Sequence, residues 1–218
     1  MVAPLVINDR TTELENVWQV TPLFSKPLCL TRVSGDVVEK LSRLCSSTSD
    51  WEKDQDDSGS NGAITKNQNI LDLEPDLKNV LVDYSSSCLK GIVGYDTDIQ
   101  ITTSWFTKTE RNGFCTGHVH QNSWWSGVVF FEEYYAGSSP LQFTGTYDQI
   151  SPMKFLQPNY LNSSSWQIQP SRGMLVMFPS NVWHEVIKSG NVKTRYSLAY
   201  NVMPKGTVGL ADSTYQYQ

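Results

Sequence analysis

The chain of 218 residues contains three histidines, and their spacing suits a metal site. His118 and His120 stand two residues apart in GHVHQNS, so on an extended strand both imidazoles point to the same face. His184, in FPSNVWHEV, lies far along the sequence and can join them only through the fold. Because histidine is the commonest metal ligand in proteins, we expect these side chains to bind one metal ion.

A second group of polar residues lies on the apparent strand TRYSLAYN, which follows His184. Arg195, Ser197 and Asn201 fall on one face of that strand. A guanidinium binds a carboxylate through charge-assisted, often bidentate hydrogen bonds, and a serine hydroxyl on the same face adds a donor. The alternative is an ordinary arginine on the surface of a strand.

The elements that position these side chains follow from periodicity. Two strands are predicted within residues 16–33, and helices over Ser34 to Cys45 and Leu71 to Ile92, where apolar residues recur at helical spacing. From Asp96 onward, short alternating segments separated by turns predict antiparallel β-structure. Helices before strands favour an α+β fold with the N-terminal helices packed on one sheet. No linker divides the chain, so we expect a single domain over residues 1–218.

Residues 46–69 are polar, acidic and rich in glycine and serine. We interpret them as a solvated loop, and the alternative is a mobile lid anchored by Trp51. Cys115 precedes His118 by three residues and is either close to the metal site or a small packing residue elsewhere.

Composition excludes several classes of protein. The net charge of −5 disfavours a nucleic-acid-binding surface, and no apolar run is long enough to cross a membrane. The four cysteines are scattered without a C-x-x-C motif, which favours reduced thiols. Because the N-terminal MVAPLVINDR also lacks the pattern of a signal peptide, we expect a cytoplasmic protein.

Three segments in order, GHVHQNSWWSGVVFF, QPSRGMLVMFPSNVWHEV and TRYSLAYN, resemble the iron(II)/2-oxoglutarate-dependent oxygenases common in marine phages and bacteria. The shared pattern is an H-x-H followed by N-S and S-G, an F-P-S leading to a histidine, and an R-x-S strand ending in Asn. The resemblance implies a double-stranded β-helix, or jelly-roll and cupin-like, core that uses Fe(II) and 2-oxoglutarate. If the chain is phage-encoded, its location would be the host cytoplasm.

The resemblance also assigns roles to residues. His118 and His184 match the two histidine ligands of the wider superfamily, whereas His120 stands where a carboxylate is usual. His120 is then either a third ligand or a residue outside the coordination sphere. Three neutral imidazoles leave the ion its full double charge, which alters its redox potential or metal preference.

For the co-substrate, the resemblance implies that Arg195 and Ser197 bind the distal carboxylate of 2-oxoglutarate. Asn201 and Asn122 are further candidates for cofactor binding, although Asn201 could equally be structural and Asn122 could orient His120 or meet the substrate. Trp124 and Trp125 are candidates for stacking on a substrate, with core packing as the alternative.

The function implied is a dioxygenase that oxidises 2-oxoglutarate to succinate and CO2 with O2 and hydroxylates a peptide, a protein side chain such as proline, or a small molecule. Two other readings stay open. One is a three-histidine cupin-type dioxygenase, such as a thiol dioxygenase, that does not use 2-oxoglutarate. The other is a non-enzymatic jelly-roll protein, structural or carbohydrate-binding, whose histidines bind no iron.

Overall fold

Two antiparallel β-sheets lie face to face in the computed structural model, which describes residues 18–21, 24–53, 60–145, 156–188 and 193–217. The strands are β1 Cys29–Arg32, β2 Trp51–Glu52, β3 Gly62–Thr65, β4 Asp98–Thr109, β5 Cys115–His118, β6 Trp125–Phe130, β7 Leu141–Thr144, β8 Ser165–Ile168, β9 Met174–Pro179, β10 Trp183–Val186, β11 Arg195–Val208 and β12 Tyr215–Tyr217. The helices are α1 Gly35–Ser47 and α2 Pro75–Ser86, with 3-10 turns at Ile70–Leu73 and Ala211–Ser213 and a π-helix at Ser87–Val93.

The larger sheet has eight strands in the order β1-β9-β6-β11-β4-β3-β2, with β12 paired to β11, and the smaller sheet has the order β5-β10-β7-β8. Pairing between these strands is antiparallel throughout the described ranges. The predicted antiparallel β-architecture is therefore confirmed. Strand β11 lies between β4 and β6, so both of its edges are paired within the sheet.

Alternation along the strands divides the core into two parts. Between the sheets, apolar side chains of β6, β7 and β9 form one buried cluster, which consists of Val128, Phe130, Leu141, Phe143, Val176 and Phe178. The opposite face of the larger sheet contributes Leu198 and Tyr200 to a second cluster that also contains Leu41 of α1 and Leu81 of α2. Burying each of these large side chains stabilises the fold by roughly 1.5–3 kcal/mol.

The helices differ in detail from the sequence prediction. Helix α1 begins where expected, because the Ser34 side chain accepts a hydrogen bond from Val37 N at 3.4 Å and caps the first turn. The predicted helix from Leu71 to Ile92 is instead three segments. Pro75 stands at the first position of α2, where its missing N–H costs nothing, and so separates α2 from the preceding 3-10 turn. No helix in the described part of the chain is long and apolar enough to cross a membrane.

The N-terminal third requires two corrections. The described part of residues 16–33 contains one strand, β1, and residues 18–20 are exposed and form no regular secondary structure; residues 1–17 and 22–23 lie outside the described ranges. Residues 46–69 are not wholly a solvated loop, since β2 and β3 extend the larger sheet from the edge of β4. Trp51 is held there by a hydrogen bond from Nε1 to Thr48 O at 3.1 Å. Residues 54–59 lie outside the described ranges.

One close approach inside the larger sheet gives a stability prediction. The ring of Tyr200 lies against Gly127, and a Cβ added to Gly127 would stand 2.2 Å from Tyr200 Cζ. Gly127→Ala should therefore lower the free energy of unfolding by about 1–3 kcal/mol, the usual cost of overpacking a core. Chemical denaturation measures this, with Gly91→Ala as the control because nothing lies within 4 Å of its added Cβ. Equal stability of the two variants would contradict the packing described.

Candidate metal centre and co-substrate pocket

The three histidines come together between the two sheets. His118 ends β5 and lies opposite His184 of β10 in the strand register, and His120 follows two residues beyond β5. The candidate ligand atoms of the three side chains all lie within 4.8 Å of one another. His120 Nε2 and His184 Nε2 are 3.1 Å apart. The structure thus unites the residues that the sequence predicted as a metal site.

Backbone carbonyls orient two of the imidazoles. His118 Nδ1 lies 2.8 Å from Thr116 O, and His184 Nδ1 lies 2.9 Å from Val182 O. A carbonyl oxygen only accepts, so in both rings Nδ1 carries the proton and donates it. Each Nε2 is left with a lone pair that points into the cluster. Metal-binding histidines characteristically use their second nitrogen in this way.

Burial keeps two of the histidines neutral. Burial lowers the pKa of His184 to about 3, although its hydrogen bond to Val182 raises it. Burial also lowers the pKa of His120 to about 4, the charge of His118 lowers it further, and a hydrogen bond with Asn201 raises it. Both side chains are uncharged at neutral pH, which is the protonation state that a metal ligand needs.

This donor set fits a divalent transition metal. Nitrogen ligands bind such ions at about 2.1 Å, so two neighbouring ligands on one ion are about 3 Å apart, close to the separation of His120 Nε2 and His184 Nε2. Two lone pairs that face each other at this distance repel unless a cation or a proton lies between them. Within the described ranges, the cluster contains imidazoles and no carboxylate. Imidazole ligands suit iron, copper, nickel and zinc.

A cavity of about 200 Å³ joins the histidines to the predicted anion site. Arg195 and Ser197 of β11 line it together with the three imidazoles. Arg195 is only 2% exposed, and its guanidinium carbon lies 5.1 Å from the centre of the Phe130 ring. One guanidinium nitrogen donates to Ser197 Oγ at 3.3 Å, and Ser197 Oγ lies 2.7 Å from Thr107 Oγ1.

The guanidinium of Arg195 is incompletely paired. Its Nε has no hydrogen-bond partner, and no carboxylate of the described residues forms an ion pair with it. Burial lowers the pKa of Arg195, whereas Tyr134 and Cys115 raise it. A buried, uncompensated charge costs several kcal/mol by the usual estimate, so this position favours binding of an anion from outside the chain.

The two asparagines predicted near the cofactor differ in position. Asn201 is partly buried, and its Nδ2 donates to Thr103 Oγ1 at 2.9 Å while its Oδ1 accepts from Ser126 Oγ at 3.1 Å. Asn122 is exposed in the left-handed region with φ of 55° and borders a separate groove. Neither side chain lines the cavity that holds the histidines. Cofactor contacts by Asn201 and Asn122 remain predictions.

Trp105 and Cys115 are two further residues of the cavity wall. Trp105 lines the cavity and stacks on His120, with ring centres 5.6 Å apart and planes at 24°. Its place on β4, two residues before Thr107, is a period-two signal that could have indicated it. Cys115 also lines the cavity, and its Sγ lies 3.8 Å from His118 Nδ1. This position favours the alternative in which Cys115 is close to the metal site.

The two tryptophans that the sequence offered for stacking on a substrate lie outside this cavity wall. Trp125 is buried in the core, and Trp124 packs against Tyr95 outside the cavity.

Known proteins share the fold of this chain, and one family model matches part of its sequence. Residues 103–201 match the family model described as "Putative 2OG-Fe(II) oxygenase". A Pseudomonas putida prolyl-4-hydroxylase has a TM-score of 0.58 and 16% identity over 84% of this chain and 95% of its own. The alpha-ketoglutarate-dependent epimerase SnoN of nogalamycin biosynthesis has a TM-score of 0.61 and 11% identity over 85% and 83%. HygX from Streptomyces hygroscopicus, solved with nickel and 2-oxoglutarate, has a TM-score of 0.56 and 9% identity over 82% and 83%. No curated protein matches the sequence.

At these identities the solved structures establish the fold, and the family model matches the segment of the sequence in which His118, His120, His184 and Arg195 lie. The fold is that of the 2OG-Fe(II) oxygenases, whose core is a jelly roll. The family match over residues 103–201, the shared fold and the cluster of three histidines make this chain similar to the 2-oxoglutarate-dependent non-haem iron oxygenases.

Proposed function

We propose that the protein is an Fe(II)- and 2-oxoglutarate-dependent dioxygenase that hydroxylates a protein side chain or a small molecule. The observation that carries this proposal is the shared cavity. One part of its wall presents the three imidazoles, and another presents the buried, incompletely paired guanidinium of Arg195. A 2-oxo diacid is a ligand with a chelating end for a metal and a distal carboxylate for an arginine.

His118, His120 and His184 would hold Fe(II) through their Nε2 atoms. When bound, the ion supplies the activation of O2 and the oxidation of 2-oxoglutarate that the protein side chains cannot perform. The chain contributes the orientation of its ligands, which the carbonyls of Thr116 and Val182 fix through Nδ1. Three ligands on one face of an ion leave positions for the co-substrate and for O2.

Arg195 and Ser197 would bind the distal carboxylate of 2-oxoglutarate. The unpaired Nε and the terminal guanidinium nitrogens of Arg195 provide charge-assisted donors, and Ser197 Oγ can donate to the carboxylate when Thr107 Oγ1 donates its own proton to Ser197 Oγ. The Phe130 ring beneath the guanidinium excludes water and so strengthens this pair. Orientation of the co-substrate is thus a property of β11, with Arg195 and Ser197 two residues apart on its inward face.

The class of substrate is a further proposal. Structures that share the fold include a prolyl hydroxylase from Trichoplax adhaerens with a peptide of the hypoxia inducible factor (TM-score 0.51, 13% identity) and HygX with hygromycin B (TM-score 0.57, 8% identity). The fold is therefore compatible with peptides and with small molecules. In this chain, Trp105, Phe178 and Val186 provide apolar cavity walls near the histidines, which would exclude water from the reacting C–H bond.

The decisive experiment is anaerobic addition of Fe(II) and then 2-oxoglutarate, followed by visible absorption spectroscopy. We expect a charge-transfer band only when both are present, and no band with succinate, which has the carboxylates but lacks the chelating keto oxygen. Iron binding without the band would favour a three-histidine cupin-type dioxygenase, and failure to bind iron would favour a non-enzymatic jelly-roll protein. Succinate production from 2-oxoglutarate under O2 then measures turnover.

A further inference from the structure

We propose that a groove separate from the histidine cavity binds a peptide through the side chain of a trimethylated lysine. Four aromatic rings and one carboxylate in the groove wall carry this inference, and they belong to Tyr95, Trp124, Tyr215, Tyr217 and Asp96. The groove, here called the aromatic groove, has a volume of about 860 Å³, and among the described residues it shares no wall with the histidine cavity. The inference goes beyond the proposed function and does not depend on a bound metal.

The four rings of the aromatic groove form two edge-to-face pairs. The ring centres of Tyr95 and Trp124 are 4.8 Å apart with planes at 67°, and those of Tyr215 and Tyr217 are 4.7 Å apart with planes at 69°. Each pair therefore presents two surfaces that are nearly perpendicular. The face of an aromatic ring attracts a cation, and rings at steep angles to each other contact an ammonium group from more than one side.

Backbone hydrogen bonds hold the first ring pair in place. Gly94 has φ of 90°, in the left-handed region, and turns the chain after the π-helix toward Tyr95. Tyr95 N donates to Leu89 O at 2.9 Å, and Trp124 N donates to Val202 O at 3.1 Å. The backbone of both residues is therefore fixed by segments that are distant in sequence from each other.

The second ring pair is positioned by strand β12. Tyr215 lies opposite Val208 and Tyr217 lies opposite Gly206 in the antiparallel pairing of β12 with β11. Because the two tyrosines are two residues apart on a strand, both rings lie on the same face of it. Rings that are placed by a paired strand before a ligand arrives lose little conformational freedom when it binds.

The charge of the aromatic groove favours a cation. Asp96 is the one charged residue among the described residues that line it. No lysine or arginine of the described ranges forms an ion pair with Asp96, and the nearby Lys90 is paired instead with Asp98 at 2.8 Å. The carboxylate and the ring faces both carry negative potential, so they attract an ammonium group and repel carboxylates and phosphates.

The composition of the groove wall selects a trimethylated lysine over an unmodified one. An unmodified lysine has three N–H donors, which the single exposed carboxylate of Asp96 cannot all accept. A trimethylated ammonium has no N–H donor, so it enters an aromatic wall without leaving a hydrogen bond unmade. The groove is also much larger than one ammonium group, and Met203 and Pro204 extend its apolar wall. This additional space suits the peptide chain that carries the modified side chain.

Three matched peptides test the proposal. Each is a short capped peptide of alanine and glycine around one central residue, which is trimethylated lysine, unmodified lysine, or a neutral analogue with carbon in place of the ammonium nitrogen. Calorimetric titration into the full-length protein, with and without Zn(II), measures the affinities. We expect the trimethylated peptide to bind about 5–30-fold more tightly than the neutral analogue, because only the charged group is attracted to the ring faces. Its methyl protons should shift upfield in ¹H NMR, because they lie over aromatic rings.

Substitutions of exposed wall residues locate the binding site. Tyr215→Leu removes one ring and keeps an apolar side chain, so it should weaken binding of the trimethylated peptide by about 2–5-fold. Asp96→Asn should weaken the same peptide and leave the neutral analogue unaffected. Tyr160→Leu is the matched control, because Tyr160 is 69% exposed, close to the 62% of Tyr215, and does not line the groove.

Several results would overturn the proposal. Equal affinity for the trimethylated and neutral peptides would show that the groove recognises apolar bulk, and tighter binding of unmodified lysine would assign recognition to Asp96 alone. Absence of peptide binding, or binding of free choline without binding of any peptide, would exclude a peptide as the occupant. Failure of the protein to bind Fe(II) would contradict the proposed function but would leave this test intact, since the titrations include the metal-free protein.

Discussion

Replacing His118 or His184 with alanine is expected to abolish stoichiometric Fe(II) binding. Each change removes one of three converging nitrogen donors, and two remaining imidazoles rarely retain Fe(II). His118 and His184 also lie opposite each other in the pairing of β5 with β10, so neither can be replaced by a neighbour on its strand. Elemental analysis of protein loaded anaerobically with Fe(II), after removal of free metal, measures the stoichiometry.

Lys188→Ala is a suitable control, because Lys188 is exposed four residues after His184. It should bind iron as the parent does. Thermal unfolding of the metal-free proteins shows whether each histidine variant is folded, since lost binding is informative only in a folded protein. If His118→Ala retained one equivalent of iron, the ligand assignment would be wrong and the cluster would be a packing feature.

Arg195→Ala is expected to lower the affinity for 2-oxoglutarate by at least about tenfold. Truncating one member of a buried charge pair costs about 2–5 kcal/mol, and each 1.4 kcal/mol is about a factor of ten. Arg195 is 2% exposed with an orphaned Nε, so no carboxylate of the described chain competes for it. Calorimetric titration of 2-oxoglutarate into the anaerobic, iron-loaded protein measures the loss.

Iron binding by Arg195→Ala should be unchanged, because the guanidinium contacts Ser197 and Phe130 rather than the imidazoles. Arg195→Lys should lie between the parent and the alanine variant, since it keeps the charge but lacks the planar fork. Arg43→Ala, an exposed arginine on α1, controls for net charge. An unaltered affinity of Arg195→Ala for 2-oxoglutarate would mean that Arg195 does not bind the co-substrate. It would reopen the two alternative functions, a thiol dioxygenase and a non-enzymatic jelly-roll protein.

Several features of the site were determined by the sequence alone. The two-residue spacing of Arg195 and Ser197 places both side chains on one face of β11, whereas His120 lies beyond the end of β5, so the strand alternation expected for His118 and His120 does not describe how they converge. The run of short alternating segments after residue 96 predicted antiparallel sheets, which the structure confirms. These properties are local, because the face that a side chain occupies on a strand depends only on its position relative to its neighbours in sequence.

Other features depended on contacts between distant segments. The pairing of β5 with β10 places His184 opposite His118, and burial leaves Arg195 Nε without a partner. Part of the polar segment 46–69 forms strand β3 because it pairs with the edge of β4, and the amino-acid composition of that segment did not indicate a strand. Asn201 and Asn122, both candidates for cofactor binding by sequence, are separated because Asn201 lies on a β-strand within the sheet and Asn122 on an exposed turn. Tertiary structure decided these points because strand register and burial are set by long-range pairing, for which local periodicity carries no signal.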